Sequence, residues 1–333
     1  MADGHQAAGS FRSLGTISAD QFARAADRHA LGHFLSAQPL GGAHGNNVAI
    51  RTDRGNWVLR GAVSPVDVAC LLRERFFARV LSRRLHLAIP WPYVVDASTD
   101  PFGWPFAVMP RLVGDRPDPA DEGGGPAGAA LGRAAAELHT VSFPRIGEWN
   151  GDQDDIVAPA QSPGDWLMQR VDRLKASVAE TSSPLDPASV ALVDRRMATA
   201  VEHLGTFEPT YVHGDVTASN FVGRSTASGW EFTGVFDLGG GHAGDPDEDL
   251  ATPVWWPLYW NHPQAAQAFL AAYRAHRPPR PGQAERLRGY VVLSMLTNWE
   301  LGRRQRFNWY GGAEAFAEWA LPLLKAADAI IGP

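Results

Sequence analysis

Cysteine occurs once in the 333 residues, as Cys70. A single thiol excludes an internal disulfide framework and a cysteine-based zinc site. Lysine is almost as scarce: Lys175 and Lys325 are the two lysines among 30 basic residues, and none precedes residue 175. Any fixed cation required in the first half of the chain must therefore be an arginine. Basic charge is not in excess, because 36 acidic residues bring the formal net charge to −6. Duplex binders carry a basic face, so no nucleic acid partner is expected. No apolar run reaches the roughly 18 residues that span a bilayer, so no membrane partner is expected either. The opening MADGHQAAGS has no basic segment followed by an apolar one. That argues against a secretory signal and for a cytoplasmic location.

What the chain does contain is a composition able to bury a core, with 45% hydrophobic and 20% charged residues. Disordered chains have the opposite balance. The pattern is uneven along the sequence. Residues 1–15 read as a flexible lead-in. Residues 16–113 read as a sheet-rich lobe: Val48 and Ile50 alternate with Ala49 and Arg51, Trp57 and Leu59 alternate with Val58 and Arg60, and residues 66–84 show a helical stripe of Val68, Leu71, Leu72, Phe76, Val80 and Leu81. After the Pro/Gly/acid stretch DRPDPADEGGGPAG, residues 114–333 read as mostly helical, with a β-like island at 210–238. The expected fold is α+β in two lobes, a small sheet-rich N-lobe and a large helical C-lobe.

The chemistry concentrates in YVHGDVTASNFV and DLGGGHAGDPDED, with sixteen residues between Asn220 and Asp237. Loops at strand ends place His213, Asp215, Asn220 and Asp237 in order. One carboxylate, a carboxamide five residues on and a second carboxylate on a following strand suit phosphoryl transfer. One Asp takes or orients the acceptor hydroxyl, while Asn and the other Asp hold Mg²⁺ against phosphate oxygens. Both are hard oxygen ligands, and the nucleotide supplies the rest of the coordination sphere.

HGDVTASN followed by FDLGGGHAGDPDEDLA resembles the catalytic loop and metal strand of the aminoglycoside phosphotransferase family, a branch of the protein-kinase-like fold. VHGD, VMPRLVGD and the aromatic tail look most like its hygromycin B kinase branch. The resemblance spans about residues 30–330. It implies ATP as phosphoryl donor with Mg²⁺, Asp215 as catalytic base, His213 as a brace of the loop, and Asn220 and Asp237 as metal ligands. Backbone groups at Val108, Met109 and Pro110 would meet the adenine. The turn PLGGAHGNN, with Gly42, would cover the phosphates. Arg60 stands where most relatives carry lysine. Its guanidinium can grip phosphate oxygens bidentately, with Glu74 as its partner. Glu74 also reads as a surface residue pairing along its own helix.

The tail concentrates Trp255, Trp256, Tyr259, Trp260, Trp299, Trp309 and Tyr310, with Glu300 beside Trp299. At helical spacing such residues are core; flanked by polar groups they also suit sugar stacking. The resemblance places the acceptor pocket here, so Trp255, Trp256, Trp299 and Glu300 are candidate substrate contacts. Asp215, Asp237, Asp245, Asp247, Glu248 and Asp249 lie within 35 positions, which suggests an acidic cleft for a cationic small-molecule acceptor. As simple local features, Asp245 reads as a cap before Pro246 and Asp247, Glu248 and Asp249 as first-turn acids. The function expected is an O-phosphotransferase acting on an aminoglycoside, aminocyclitol or amino sugar, with antibiotic resistance as one role and a monomer or dimer as its state. Rivals are a kinase for another sugar, a nucleoside or a different antibiotic, a metallohydrolase built on His213, Asp215, Asp237, His242 and Asp245, and an inactive binding module.

Overall fold

The structure is a computed structural model that describes residues 9–11, 15–40, 46–117, 124–181, 183–227, 229–305 and 310–333. Gly42, with the rest of the turn at 41–45, and Trp309 lie outside the described residues. The chain divides into two compact units. The first comprises Met1–Gly114, Trp149–Asp155 and Gly234–Gly241; the second comprises Asp115–Glu148, Ile156–Thr233 and His242–Pro333.

In the first unit, the lead-in contributes structure where it is described. β1 (Gly9–Phe11) pairs antiparallel with β2 (Gly15–Ile17). Helix α1 (Ala19–Arg28) starts at a Ser18 capping box with Gln21. A five-stranded antiparallel sheet follows, built from β3 (Phe34–Leu40), β4 (Asn47–Thr52), β5 (Gly55–Gly61), β6 (Val94–Asp96) and β7 (Phe106–Pro110) in the order β3-β4-β5-β7-β6. Val48, Ile50, Leu59, Phe106 and Val108 project to the side packed by Phe22, Ala25 and Ala26 of α1, forming one core. Between β5 and β6 runs helix α2 (Pro65–Leu81), opened by a Ser64–Asp67 capping box with proline in its first turn. Its buried face carries Leu71, Phe76, Phe77, Ala78 and Leu81, and also Glu74. The reading of Glu74 as a helix-surface residue is therefore corrected: a carboxylate sits on an apolar helix face, which is tolerable only if it is fully hydrogen-bonded.

The second unit is a helical assembly around short strands. Its helices are α3 (Gly125–Leu138), α4 (Pro163–Ala179), α5 (Pro187–Glu202), α6 (Ala251–Tyr259), α7 (Pro263–His276), α8 (Gln283–Gln305) and α9 (Phe316–Ile331). Ser162 and Asp186 cap α4 and α5, each with proline at the start, as their sequences suggest. β8 (Glu148–Asn150) and β9 (Asp155–Val157) flank the insertion that belongs to the first unit. β10 (Thr210–Val212), β11 (Phe221–Thr226), β12 (Gly229–Val235) and β13 (His242–Gly244) complete the strands. β10 and β13 pair antiparallel, Val212 opposite His242 and Thr210 opposite Gly244. This register sets the start of the His213 loop beside the residues that lead into Asp245.

Helices α3 and α7 meet at backbone distance. A Cβ on Gly128 would collide with the carbonyl of Ala265, and one on Gly132 with the carbonyl of Phe269. Glycine costs helix stability in itself, so its use here reflects the close approach. Gly132→Ala is expected to lower the unfolding free energy by about 1–3 kcal/mol, the usual range for overpacking. Urea or thermal denaturation reads the effect, and an unchanged midpoint would show that α3 and α7 can part without loss.

Candidate active site

In the first unit the expected pair forms. Arg60 Nη1 donates to Glu74 Oε1 at 3.0 Å and Oε2 at 3.1 Å, and to Asp237 Oδ1 at 2.9 Å. Glu74 also accepts the backbone N–H of Leu238 at 3.0 Å and the hydroxyl of Tyr93 at 2.5 Å. The Glu74 side chain is 3% exposed, Arg60 21% and Asp237 47%, so the cluster runs from a dry base to an open carboxylate. Burial pushes the Glu74 carboxyl above its ordinary range, and Arg60, Tyr93 and the Leu238 amide oppose that push. The Glu74 charge in turn raises the Arg60 guanidinium well above its ordinary value. Tyr93 is pushed up by burial and by the same charge. Asp237 sits in the left-handed region, at φ 61° and ψ 55°. A non-glycine residue held there carries strain, and such positions gather at functional sites.

The hinge expectation needs one correction. Val108 pairs with Leu59 on one side and Val94 on the other, so it is interior to the sheet and its backbone groups face neighbouring strands. The β6 ladder ends at Val94, so Met109 and Pro110 have a strand partner on β5 alone. Their outer edge is the part of β7 able to offer backbone groups to a ligand.

In the second unit, the loop after β10 is held from below. Asp249 accepts the backbone N–H groups of His213 and Gly214, each at 2.7 Å. Asp249 is 2% exposed and also meets His139 Nε2 at 3.1 Å, whose Nδ1 meets the Tyr273 hydroxyl at 2.8 Å. Gly214 takes φ 81°, a turn that a side chain would resist. His213 is fully buried, stacks against Phe221 at 6.3 Å between ring centroids, and accepts the Asp215 N–H at Nδ1 at 3.3 Å. The Asp215 side chain is thereby turned outward, and the residue is exposed. Asn220 is 7% exposed, and its Nδ2 donates to the Asp215 carbonyl at 2.9 Å and to Asp215 Oδ2 at 2.8 Å. The carboxamide thus fixes the carboxylate, and its own oxygen is left as an acceptor.

The acidic run does not form a cleft surface. Asp245, Asp247 and Asp249 are 3%, 2% and 2% exposed. Arg280 donates to Asp245 and, at 3.1 Å, to Asp247; the fully buried Arg286 donates to Asp247 at 2.7 Å and 2.9 Å; Gln283 adds a bond at 2.7 Å. Burial and the neighbouring Asp247 charge push the Asp245 carboxyl up to about 6, against Arg280 and Arg286. Glu248 is gripped by Arg170 through both oxygens and touched by His242 at 3.2 Å. Burial would raise its carboxyl, but Arg170 and His242 hold it well below the usual carboxylate range. The expectation that these four acids face a cationic acceptor is corrected: arginines within the chain already pair with Asp245, Asp247 and Glu248, and Asp249 is taken up by backbone amides and His139. Sequence reading gave Asp249 to helix-end electrostatics or to the acidic cleft, yet it carries the His213 loop. The same engagements count against a metallohydrolase, since His242 and Asp245 serve Glu248, Arg280 and Tyr290.

The substrate candidates separate. Trp255 is 0% exposed and donates to Ser294 at 2.9 Å; Trp299 is 1% exposed and packs on Tyr310 and Trp319 at 4.5 Å and 5.9 Å. Both are core residues, a correction to the stacking expectation. Glu300 accepts Ser177 Oγ at 2.6 Å and Arg304 Nε at 2.5 Å, so its charge is answered within the chain. Trp256 remains part-exposed on α6, stacked with Tyr259 at 5.7 Å and next to Trp260, itself 56% exposed.

Among the described residues no group of three or more His, Cys, Asp or Glu side chains is arranged to hold a metal ion. Mg²⁺ does not require such a cage, since it is commonly held by one or two protein oxygens together with substrate phosphates. The carboxylate of Asp237 and the carboxamide oxygen of Asn220 are donors of the right hardness for it.

The phosphotransferase enzyme family matches residues 36–285, well over half of the chain. No curated protein matches in a direct sequence comparison. Among solved structures, the GDP and kanamycin complex of APH(2")-IIia is 20% identical, covering 91% of this chain and 96% of that one with a TM-score of 0.61. The ternary complex of aminoglycoside phosphotransferase APH(4)-Ia with ADP and hygromycin B is 16% identical, covering 92% and 96% with a TM-score of 0.61. Macrolide 2'-phosphotransferase MphH from Brachybacterium faecium is 20% identical, covering 94% and 98% with a TM-score of 0.56. The fold is therefore the α+β, protein-kinase-like fold of these structures. No helix among the described residues is long and apolar enough to cross a membrane. With the family match over residues 36–285 the assignment is plain: the chain belongs to the phosphotransferase enzyme family and is a phosphotransferase.

Proposed function

We propose that the enzyme transfers the γ-phosphoryl group of MgATP to a hydroxyl of an aminoglycoside, aminocyclitol or amino sugar. The observation that carries the reading is the Asp215 carboxylate, exposed on a loop that Asp249 and Asn220 hold in place. Asp215 orients the acceptor hydroxyl and accepts its proton as the new P–O bond forms and the bond from the γ-phosphorus to the β–γ bridging oxygen breaks, with ADP leaving. Asn220 and Asp237 would hold Mg²⁺, which would supply charge neutralisation at the phosphate oxygens. Arg60, steadied by Glu74, grips α/β-phosphate oxygens, and the outer edge at Met109 and Pro110 meets the base. His213 braces the loop: its ring is buried and its Nδ1 accepts the Asp215 amide. Nucleotide and aminoglycoside complexes among the structural neighbours support the substrate class. A second reading, a kinase for another antibiotic, is favoured by the macrolide 2'-phosphotransferase among them.

On the acceptor side, the reading shifts from carboxylates to rings. Of Asp215, Asp237, Asp245, Asp247, Glu248 and Asp249, Asp215 and Asp237 are exposed, and Asp237 pairs with Arg60. The tail offers instead the part-exposed Trp256 with Tyr259 and Trp260. A sugar ring or ammonium group stacks on such faces.

Asp215→Asn should reduce turnover by about 10²–10⁴, the usual range for a positioned base, with ATP still bound; Asp237→Ala should lose Mg²⁺-dependent nucleotide binding. Near-normal turnover by Asp215→Asn in a coupled ADP-release assay would remove Asp215 from the chemistry. Arg60→Ala should raise the ATP KM steeply, and Arg60→Lys, which keeps charge but not the planar fork, should recover only part of it. An ATP KM unmoved by Arg60→Ala would reduce the arginine to a structural role. Trp256→Ala should raise the acceptor KM about 2- to 30-fold, the equivalent of ~0.5–2 kcal/mol for one stacking contact. That acceptor KM should also change by no more than about threefold between roughly 0.05 and 0.5 M salt, because little exposed charge is left to screen. A panel of hygromycin B, spectinomycin, kanamycin, glucosamine, glucose and a macrolide names the acceptor. A steep salt dependence would restore the acidic-cleft account.

A further inference from the structure

The base of the Arg60 cluster contains a residue that neither the motif nor the family match singles out. Tyr93 is 2% exposed and lies just before β6. Its hydroxyl donates to Glu74 Oε2 at 2.5 Å. Each Glu74 oxygen thus takes one bond from Arg60 and one from a fixed anchor. Oε1 takes the Leu238 amide at 3.0 Å; Oε2 takes the Tyr93 hydroxyl. The two anchors come from different segments, one ahead of β6 and one after β12.

That division matters because of how Arg60 is held. A single nitrogen, Nη1, serves both Glu74 oxygens and Asp237 Oδ1. The direction of the guanidinium fork therefore follows the plane of the Glu74 carboxylate. Glu74 reaches that position through three rotatable bonds, and a terminal carboxylate torsion is broad when nothing restrains it. One anchor on Oε1 leaves the plane free to swing about that bond. The second anchor on Oε2 stops the swing. A phenol suits the task, since its oxygen sits at the end of a rigid ring that packing has already immobilised. The chain has no lysine in this region to serve as a simple point charge. An arginine must present its fork in one orientation to meet phosphate oxygens bidentately.

We propose that Tyr93 is a positioning residue for nucleotide binding: it locks the Glu74 carboxylate plane and through it aims Arg60 at the phosphates. The inference rests on the reading of Arg60 as the phosphate clamp. Tyr93→Phe keeps the ring and removes the donor. Direct titration of the folded enzyme with MgATP should show a Kd raised about 5- to 20-fold, less than the full worth of one hydrogen bond to a charged group because the effect reaches the nucleotide through Glu74 and Arg60. The KM of the acceptor should stay within twofold. A purely structural tyrosine would lower the melting temperature and leave the Kd of the folded enzyme where it was. The coupling is read in a cycle with Glu74→Gln. Once the carboxylate is gone, adding Tyr93→Phe should change the ATP Kd by less than twofold. Should Tyr93→Phe alone fail to fold, the Glu74→Gln/Tyr93→Phe enzyme carries the test, because it leaves no buried carboxylate short of a donor. A Kd for Tyr93→Phe within twofold of the parent overturns the proposal. So does a double variant that binds ATP several-fold more weakly than Glu74→Gln. Arg60→Ala in the same titration separates the two ideas. If it leaves the Kd unchanged, the clamp reading has failed; if it raises the Kd and Tyr93→Phe does not, only the role of Tyr93 has failed.

Discussion

Two hydrogen bonds of 2.7 Å, from the backbone N–H groups of His213 and Gly214 to the carboxylate of Asp249, hold the loop on which the second unit's chemistry depends. A loop must otherwise give its amides to water. Given to a buried carboxylate, they become charge-assisted bonds, shorter and stronger than neutral ones. The carboxylate in turn is tolerated in the interior because both its oxygens are engaged and His139 stands beside it. Once the two amides are fixed, Gly214 can turn through its positive φ, His213 lies flat on Phe221, and Asp215 points outward under the restraint of Asn220. The exposed carboxylate is thus the end of a chain of constraints that begins at a buried one.

The same rule governs the acids around Asp249. Asp245, Asp247 and Glu248 have little access to water, and each is matched by an arginine. Removing one partner of such a buried set would leave an uncompensated charge, typically at 3–5 kcal/mol, whereas the intact set contributes little net stability. Its effect is geometric. Arg286, 1% exposed, ties Asp247 to the carbonyls of His203 and Pro281, so the ends of α5 and α8 are gathered at the turn that leads into α6. The turn that presents Asp249 is rigid for that reason.

Much of this was legible in the sequence and some was not, and the difference has a physical cause. Alternation along β4 and β5, the Ser-x-x-Asp start of α2 and the Ser162 and Asp186 caps act over a few residues and are visible locally. The spacing of His213, Asp215, Asn220 and Asp237 was visible because it is a pattern within one short stretch of sequence. The fate of the acidic run was not. The partners of Asp245, Asp247, Glu248 and Asp249 lie 35, 39, 78 and 110 positions away, and a linear charge count cannot distinguish a solvated carboxylate from a neutralised one. Trp255 and Trp299 failed in the same way. Tryptophan at helical spacing marks a core and a stacking surface with one signature, and only packing on Trp319 and Tyr310 decides between them. Tyr93 left no signal at all, since nothing in a Pro-Tyr-Val context points to a carboxylate in a helix 19 residues earlier.

Lysine scarcity connects these threads in the first unit. A lysine ammonium is a compact charge that tolerates many approach angles, so a carboxylate partner need only be near. An arginine is useful to a phosphate only when its fork is aimed, and aiming requires the partner itself to be immobile. Glu74 meets that requirement by occupying an apolar helix face where burial would otherwise discharge it, with a backbone amide and a phenol completing its oxygens. The short hydroxyl bond, the buried glutamate and the strained backbone of Asp237 are then one arrangement. The cation is fixed from the buried side, and the more exposed Asp237 carboxylate, on its left-handed backbone, meets it at 2.9 Å.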